Sequence, residues 1–443
     1  MEKATSKPFV EPDLQLILRD RAEPSGICLD FETSAPNPSL GLDFQVFANK
    51  DLPPGEIFEK HSKDLAFLEE VKGQQSTAED MKILLRNYGH WMYRDWLPDP
   101  LKDKLEAIAG DFRHLRILEA NPWVPWELMT FAEKVEGESV WGYRYGLARW
   151  IHGCKPRHPQ TIRSIAVVGP PSKDGFPEFQ AFTGSTQVES IPFTVQGVQE
   201  ALASGQFDLF HFQGLSNLSR ETLDLCVDHP LQETTTDPQN ENPIIFSAHH
   251  LPTLAPHDTG TGPLVTFGGV PSQHLVTGLA RTHGWAKAFL EGGASAFVGC
   301  YWEVQPQASR DFFSAFFENL LLRMPLGMAA MDARTQCREE HPIDSLGFTL
   351  FAHPMAHCGP TAYLPPAYQR LTRRKPKPKD RAERNEPATT PTHSTAEITD
   401  IEAEGDIRFG KISHGPNQAS HQTTKVKNVT GGGDITFESI EHH

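Results

Sequence analysis

Two apolar runs lead into the side chains best placed for chemistry. The run at 207–214, FDLFHFQG, carries His211 and is followed by Leu215 and Ser216. The run at 263–272, PLVTFGGVPS, passes through Gly268, Gly269 and Val270 to Ser272. A serine attacks a carbonyl only when a base within hydrogen-bond reach takes its proton. His211 lies inside the apolar run, so we expect a core histidine satisfied by backbone rather than a free base. The six cysteines, Cys28, Cys154, Cys226, Cys300, Cys337 and Cys358, are scattered with no C-x-x-C spacing. That excludes a disulfide framework and a clustered zinc set, and suits free thiols in a reducing compartment. Cys300, between Gly299 and Tyr301, suits a small buried mid-strand residue. His249 and His250, near His257 and Asp258, fall in a Pro/Thr/Asp-rich stretch that reads as a solvated loop. No metal and no cofactor is expected.

The elements that must hold these residues alternate between strand and helix across 160–360. Strands are expected at Ser164–Val168, Phe207–Phe212, Leu264–Gly269, Ser295–Trp302 and Phe348–Ala352. Helices are expected at Val195–Ala203, Gly284–Leu290, Gln307–Arg323 and Leu326–Glu340. This alternation predicts an α/β fold with a mostly parallel sheet covered on both faces. The stretch 220–262 shows no period and reads as an insertion. Before it, residues 1–155 mix short strands with helices at 76–97 and 101–110. Thr77 is the expected cap of the first, Pro98 its stop, and a strand follows at His114–Ala120.

Composition narrows the function. The chain has 443 residues, and 41 Lys+Arg against 57 Asp+Glu give a net charge of −16. An acidic chain is a poor bulk partner for nucleic acid. No apolar run approaches a membrane span, and the N-terminal residues show no signal-peptide core, so a cytoplasmic protein is expected. Residues 370–396 are basic and Pro-rich and read as a disordered linker. Residues 397–443 then hold an internal repeat. Gly405, Asp406, Ile407, Phe409 and Ile412 recur as Gly433, Asp434, Ile435, Phe437 and Ile440. Ile401 recurs as Val429. Alternating apolar residues after a glycine read as short strands joined by an arc. Stacked copies would satisfy one another's open edges, the logic of cross-β assembly.

The order of features across 115–355 resembles the CHAT family, caspase-like peptidases related to separase. VPWELM at Val124–Met129, FDLFHFQG, PLVTFGGVPS, WAKAFLEGGASAFVGCYWEV at Trp285–Val304 and LGFTLFAHPMA at Leu346–Ala356 carry the likeness. The resemblance implies a caspase-like α/β domain at 156–360, preceded by an α+β part of the same region at 1–155. It also places the family's catalytic histidine at Leu215 and its cysteine at Val270. Neither side chain can ionise or donate, so the resemblance implies a peptidase fold without its dyad. His211, Ser216, Gly268, Gly269 and Ser272 are the remaining cleft candidates.

The repeat is similar to the two-copy amyloid signalling motif of the HET-s type. That likeness implies a core of Ile401, Ile407, Phe409 and Ile412 over Val429, Ile435, Phe437 and Ile440, with Gly405 and Gly433 in the arcs. It departs from the pattern at Glu438, which stands where the first copy has Gly410. It implies self-assembly and a NOD-like receptor carrying a matching segment as partner. Together the two resemblances imply a catalytically inactive effector or adaptor in cell-death or defence signalling. The alternatives are a peptidase with a non-standard nucleophile and a module that binds a peptide or ligand in the degenerate cleft.

Overall fold

A computed structural model describes residues 10–23, 26–42, 45–48, 78–119, 124–132, 135–169, 176–182, 186–192, 195–213, 254, 261–268, 275–302 and 304–358, with eight short strands between 397 and 441. Contacts divide the chain into Met1–Arg373 and Arg374–His443.

The first unit is built on one 11-stranded sheet. Its N-terminal strands are β1 (Leu14–Glu23), β2 (Gly26–Ser34), β3 (Gln45–Ala48), β4 (His114–Glu119) and β5 (Gly146–Ile151). A two-residue strand β6 (His158–Pro159) follows. The rest are β7 (Ser164–Val168), β8 (Gln187–Ile191), β9 (Leu209–Phe212), a short β10 (Thr261–Gly262), β11 (Leu264–Phe267), β12 (Ala296–Cys300) and β13 (Phe348–Phe351). The spatial order is β3-β2-β1-β4-β5-β13-β12-β11-β9-β7-β8, and β10 pairs with β6 apart from it. Only β1–β2, β2–β3 and β12–β13 pair antiparallel. The fold is therefore α/β with a mostly parallel sheet. Strands from the N-terminal part join those of 156–360 through the β5–β13 pair, Arg149 opposite Phe351.

Helices cover the sheet: α1 (Ala78–Trp96), α2 (Asp99–Ala107), α3 (Trp141–Arg144), α4 (Val195–Ser204), α5 (Leu275–Gly292), α6 (Pro306–Leu321), α7 (Leu326–Cys337) and α8 (Asp344–Gly347). No described helix is long and apolar enough to cross a membrane. Successive strand residues point to opposite faces, and the two cores follow that period. Ile165, Val167, Leu209, Leu264 and Val298 belong to one, with Phe312 and Phe316 of α6. Ala166, Val168, Phe210, Phe212, Val265 and Phe267 belong to the other, with Trp285 and Phe289 of α5. Both faces of the central strands are covered, which is why these strands read as continuous apolar runs.

Some bounds differ from the sequence reading. The second helix begins at Asp99, not 101: Pro98, expected only as a stop, is its N-cap, and a proline sits in its first turn. The helix expected from Gly284 begins at Leu275. The strand expected from Phe207 begins at Leu209, because the Asp208 carboxylate turns aside to accept the backbone N–H groups of Arg163 and Ser164 at 2.9 and 3.1 Å. Asp13 does the same before β1, accepting from the N–H groups of Arg113 and His114 at 2.8 and 2.9 Å. Burial opposes charge on Asp13, but His114 and those N–H groups outweigh it and hold the carboxyl below its usual range.

The VPWELM segment folds into a 3-10 turn at Trp126–Leu128 and anchors a buried ionic network. Arg149 of β5 donates to Glu119 of β4 at 2.5 Å and to the Tyr301 hydroxyl. Trp126 Nε1 donates to the other oxygen of Glu119 at 3.1 Å. Tyr301 donates to Glu127 at 2.6 Å, and Arg334 of α7 lies 3.5 Å from Glu127. Glu119, Glu127, Arg149 and Arg334 are at most 1% exposed, and burial pushes the Glu119 carboxyl up to about 7 although Arg149 pulls it down. Burial disfavours the Arg149 charge, yet Glu119, Tyr301 and Glu127 outweigh it and hold the guanidinium protonated.

The second unit contains eight strands in four parallel pairs. β14 (Glu397–Ile398) pairs with β18 (Lys425–Val426), and β15 (Ile401–Ala403) with β19 (Val429–Gly431). β16 (Ile407–Phe409) pairs with β20 (Ile435–Phe437), and β17 (Ile412–Ser413) with β21 (Ile440–Glu441). The register sets Ile401 opposite Val429, Ile407 opposite Ile435, Phe409 opposite Phe437 and Ile412 opposite Ile440. Gly405 and Gly433 lie outside the described residues, as do the expected linker and Thr77.

Candidate functional site

Parallel sheets form sites at the carboxyl ends of their strands. β9 and β11 are adjacent, with His211 opposite Thr266 and Phe212 opposite Phe267. Their ends are stitched together. Gly268 N–H donates to the Phe212 carbonyl at 2.8 Å, and its own carbonyl accepts from the Ser309 hydroxyl. A Cβ at Gly268 would come within 3.3 Å of the Phe212 oxygen and 3.4 Å of the His211 ring, so the glycine allows this close approach.

His211 shares its face with Leu209 and is 2% exposed. Its ring packs edge-on to Phe179 at 5.3 Å and Phe313 at 4.9 Å. Nδ1 lies 2.8 Å from Thr266 Oγ1, whose own proton goes to the Phe210 carbonyl at 3.2 Å. The threonine oxygen therefore accepts, which assigns the proton to Nδ1 and leaves Nε2 as an acceptor. Nε2 is 3.8 Å from Glu178 Oε1. Burial pushes the His211 pKa down to about 3, so the ring is neutral. The sequence reading gave it a backbone partner; the partner is the Thr266 hydroxyl.

Glu178, in the turn Pro177–Phe179, is equally buried. Burial raises its pKa, its own backbone N–H and Arg310 pulling the other way. Oε1 accepts from Gln213 Nε2, while Oε2 is buried without a partner. Cys300 ends β12 rather than lying mid-strand, and its thiol is 3.8 Å from the Phe267 carbonyl. Burial also pushes the Cys154 thiol up to about 11 and those of Cys337 and Cys358 up to about 12. These three are poor nucleophiles at neutral pH.

Of the cleft candidates, His211 and Gly268 are brought together. Leu215, Ser216, Gly269, Val270 and Ser272 lie outside the described residues, as do His249, His250, His257 and Asp258. Glu178, Gln213, Thr266 and Ser309 were missed by the sequence reading. Thr266 was within reach, since aligning LFHF on LVTF sets it opposite His211. Glu178 had no local signal, being separated from its partners by a strand and a helix.

Three buried neutral histidines make the fold acid-sensitive. Burial pushes His211, His283 and His353 each down to about 3. Between there and about 6.5 the unfolded chain binds protons that the folded one refuses. Their stability contribution is present above the unfolded pKa and is lost as pH falls from about 6.5 towards 3. Each histidine contributes a slope of up to about 1.4 kcal/mol per pH unit. Urea unfolding between pH 7 and 4 should show this decline. His211→Gln should flatten the slope, and an unchanged slope would reject the assignment.

No family model matches the chain, and no curated protein matches it. Among solved structures it is similar to the Arg-specific cysteine proteinase gingipain R, at 13% identity and a TM-score of 0.40, over 68% of this chain and 76% of that one. It is similar at 12% identity and a TM-score of 0.40 to the complex of the RgpB pro- and mature domains from Porphyromonas gingivalis, over 68% of this chain and 78% of that one. The Saccharomyces cerevisiae separase–securin complex matches at 9% identity and a TM-score of 0.43, over 76% of this chain and 30% of that one. All three TM-scores lie below 0.5, so the fold assignment rests on the strand order and registers above.

Proposed function

We propose that the chain is a catalytically inactive CHAT-like effector or adaptor, recruited through its C-terminal repeat into amyloid-type signalling assemblies. The observation that carries the loss of catalysis is the Phe212–Phe267 pairing. Leu215 and Val270 each stand three positions beyond that pair in the sequence, where the family resemblance puts base and nucleophile. His211 is a poor substitute base, because its ring is buried, burial holds its pKa at about 3, far below the range of a working base, and Nδ1 is tied to Thr266. The in-register pairing of the two repeat copies supports the recruitment half. A NOD-like receptor with a matching segment is the partner this reading expects, in cell-death or defence signalling.

Peptide-based electrophiles should leave the protein unlabelled at the cleft. Intact-mass analysis after overnight incubation checks this, and stoichiometric labelling mapped to Ser216, Ser272 or Cys300 would revive the peptidase reading.

A second reading keeps the fold but uses it to bind. It is favoured by the buried, unpartnered Oε2 of Glu178 beside Gln213 and His211. That oxygen would accept from a ligand's N–H or ammonium group. Glu178→Gln should then lower affinity for a ligand carrying such a group, with binding read by calorimetry.

A further inference from the structure

A second cluster, outside the sheet-end site, brings an imidazole and two carboxylates together. Asp311 comes from α6, and Glu340 and His341 from the turns after α7. One donor atom from each lies within 4.8 Å of the others. His341 Nε2 and Asp311 Oδ2 are 3.0 Å apart. That is a hydrogen-bond distance; donors on a tetrahedral zinc at about 2.0–2.2 Å stand about 3.3–3.6 Å apart, so this pair would have to open by a few tenths of an ångström to admit the ion. Glu340, on the exposed side, has to close in.

The surroundings orient these donors. Gln307 Nε2 donates to Asp311 Oδ1 at 2.7 Å and leaves Oδ2 facing the imidazole. His341 is fixed at both backbone ends, its N–H donating to the Cys337 carbonyl and its carbonyl accepting from Ser345 N–H, each at 2.9 Å. Such outer contacts hold ligands in position. Two carboxylates match a divalent charge, and one imidazole selects a transition ion over magnesium or calcium. Without an ion, the same groups form a half-exposed histidine–aspartate pair, a contact of small energetic value.

We propose that Asp311, Glu340 and His341 bind a divalent transition-metal ion, Zn2+ being the closest fit, with water completing the coordination. The ion would tie α6 to the turn after α7. Two residues along α6, Phe313 packs on His211, so the clamp would brace the helix that backs the sheet-end site. The inference is independent of whether that site is catalytic.

The test is calorimetric titration of the full chain with ZnCl2. It is done in a His442→Ala/His443→Ala background, so that the adjacent terminal imidazoles do not contribute. Asp311→Asn/His341→Gln should remove one zinc equivalent or weaken it at least tenfold. Glu340→Gln, at an exposed position, should weaken it in the same direction without affecting the fold, checked by circular dichroism. Zinc should raise the midpoint of thermal unfolding and MgCl2 should not. Unchanged stoichiometry and affinity in both variants, or no binding at millimolar zinc, would overturn the proposal.

Discussion

Replacing Phe409 by Asp should abolish fibril growth by residues 397–443. Phe409 and Phe437 share one register position in the paired repeats. In a stack of copies that position recurs in every layer, so the substitution would place a carboxylate there in every molecule. A buried, unpaired charge costs several kcal/mol, and a fibril repeats the penalty at each addition. Thioflavin signal and sedimentable mass should fall at least tenfold relative to the natural sequence. Ile435→Asp should act alike. Far-UV circular dichroism of the full chain should show the first unit unchanged, because the two units are separate contact groups. Fibrils at wild-type yield from either variant would exclude this core.

Removing one member of the buried ionic network should be the most damaging single change to the first unit. Arg149→Met leaves Glu119 with only Trp126 and strips the Tyr301 hydroxyl of its donor. Breaking a buried pair from one side costs up to about 3–5 kcal/mol, because the partner left behind must stay buried as an uncompensated charge or take up a proton; burial already raises the Glu119 carboxyl to about 7. That is a large fraction of the stability of an ordinary domain. The paired change Arg149→Met/Glu119→Leu should cost much less, since both charges leave together. Urea denaturation of the two variants gives the comparison. Equal losses would mean that packing, not charge, holds this junction.

The strands of the central sheet were legible because they are buried on both faces. SIAVV and LVTF carry no polar interruption, apart from Thr266, and little else can be made of such runs. The long hairpin β1–β2 was not legible: LQLILRDRAE mixes charge with apolar residues, and its pairing partner supplies order that the run itself lacks. The ionic network shows a deeper limit. Glu119, Glu127, Arg149, Tyr301 and Arg334 come from strands, a turn and a helix far apart in the chain. Only the sheet order, with β5 beside β13 and β13 beside β12, brings them together. Asp311 and His341 are hidden by the same kind of separation. Glycine spacing in the repeat, by contrast, is a local signal, and the strand pairs of the second unit follow the alignment of its two copies.

We propose that this chain works by assembly through its repeat rather than by turnover. X-ray fibre diffraction from residues 397–443, incubated at high concentration, tests it most directly. Ordered fibres should form, with a meridional reflection at about 4.7–4.8 Å and an equatorial one at about 10 Å. A segment that stays monomeric, even when seeded with a matching receptor segment, would contradict it.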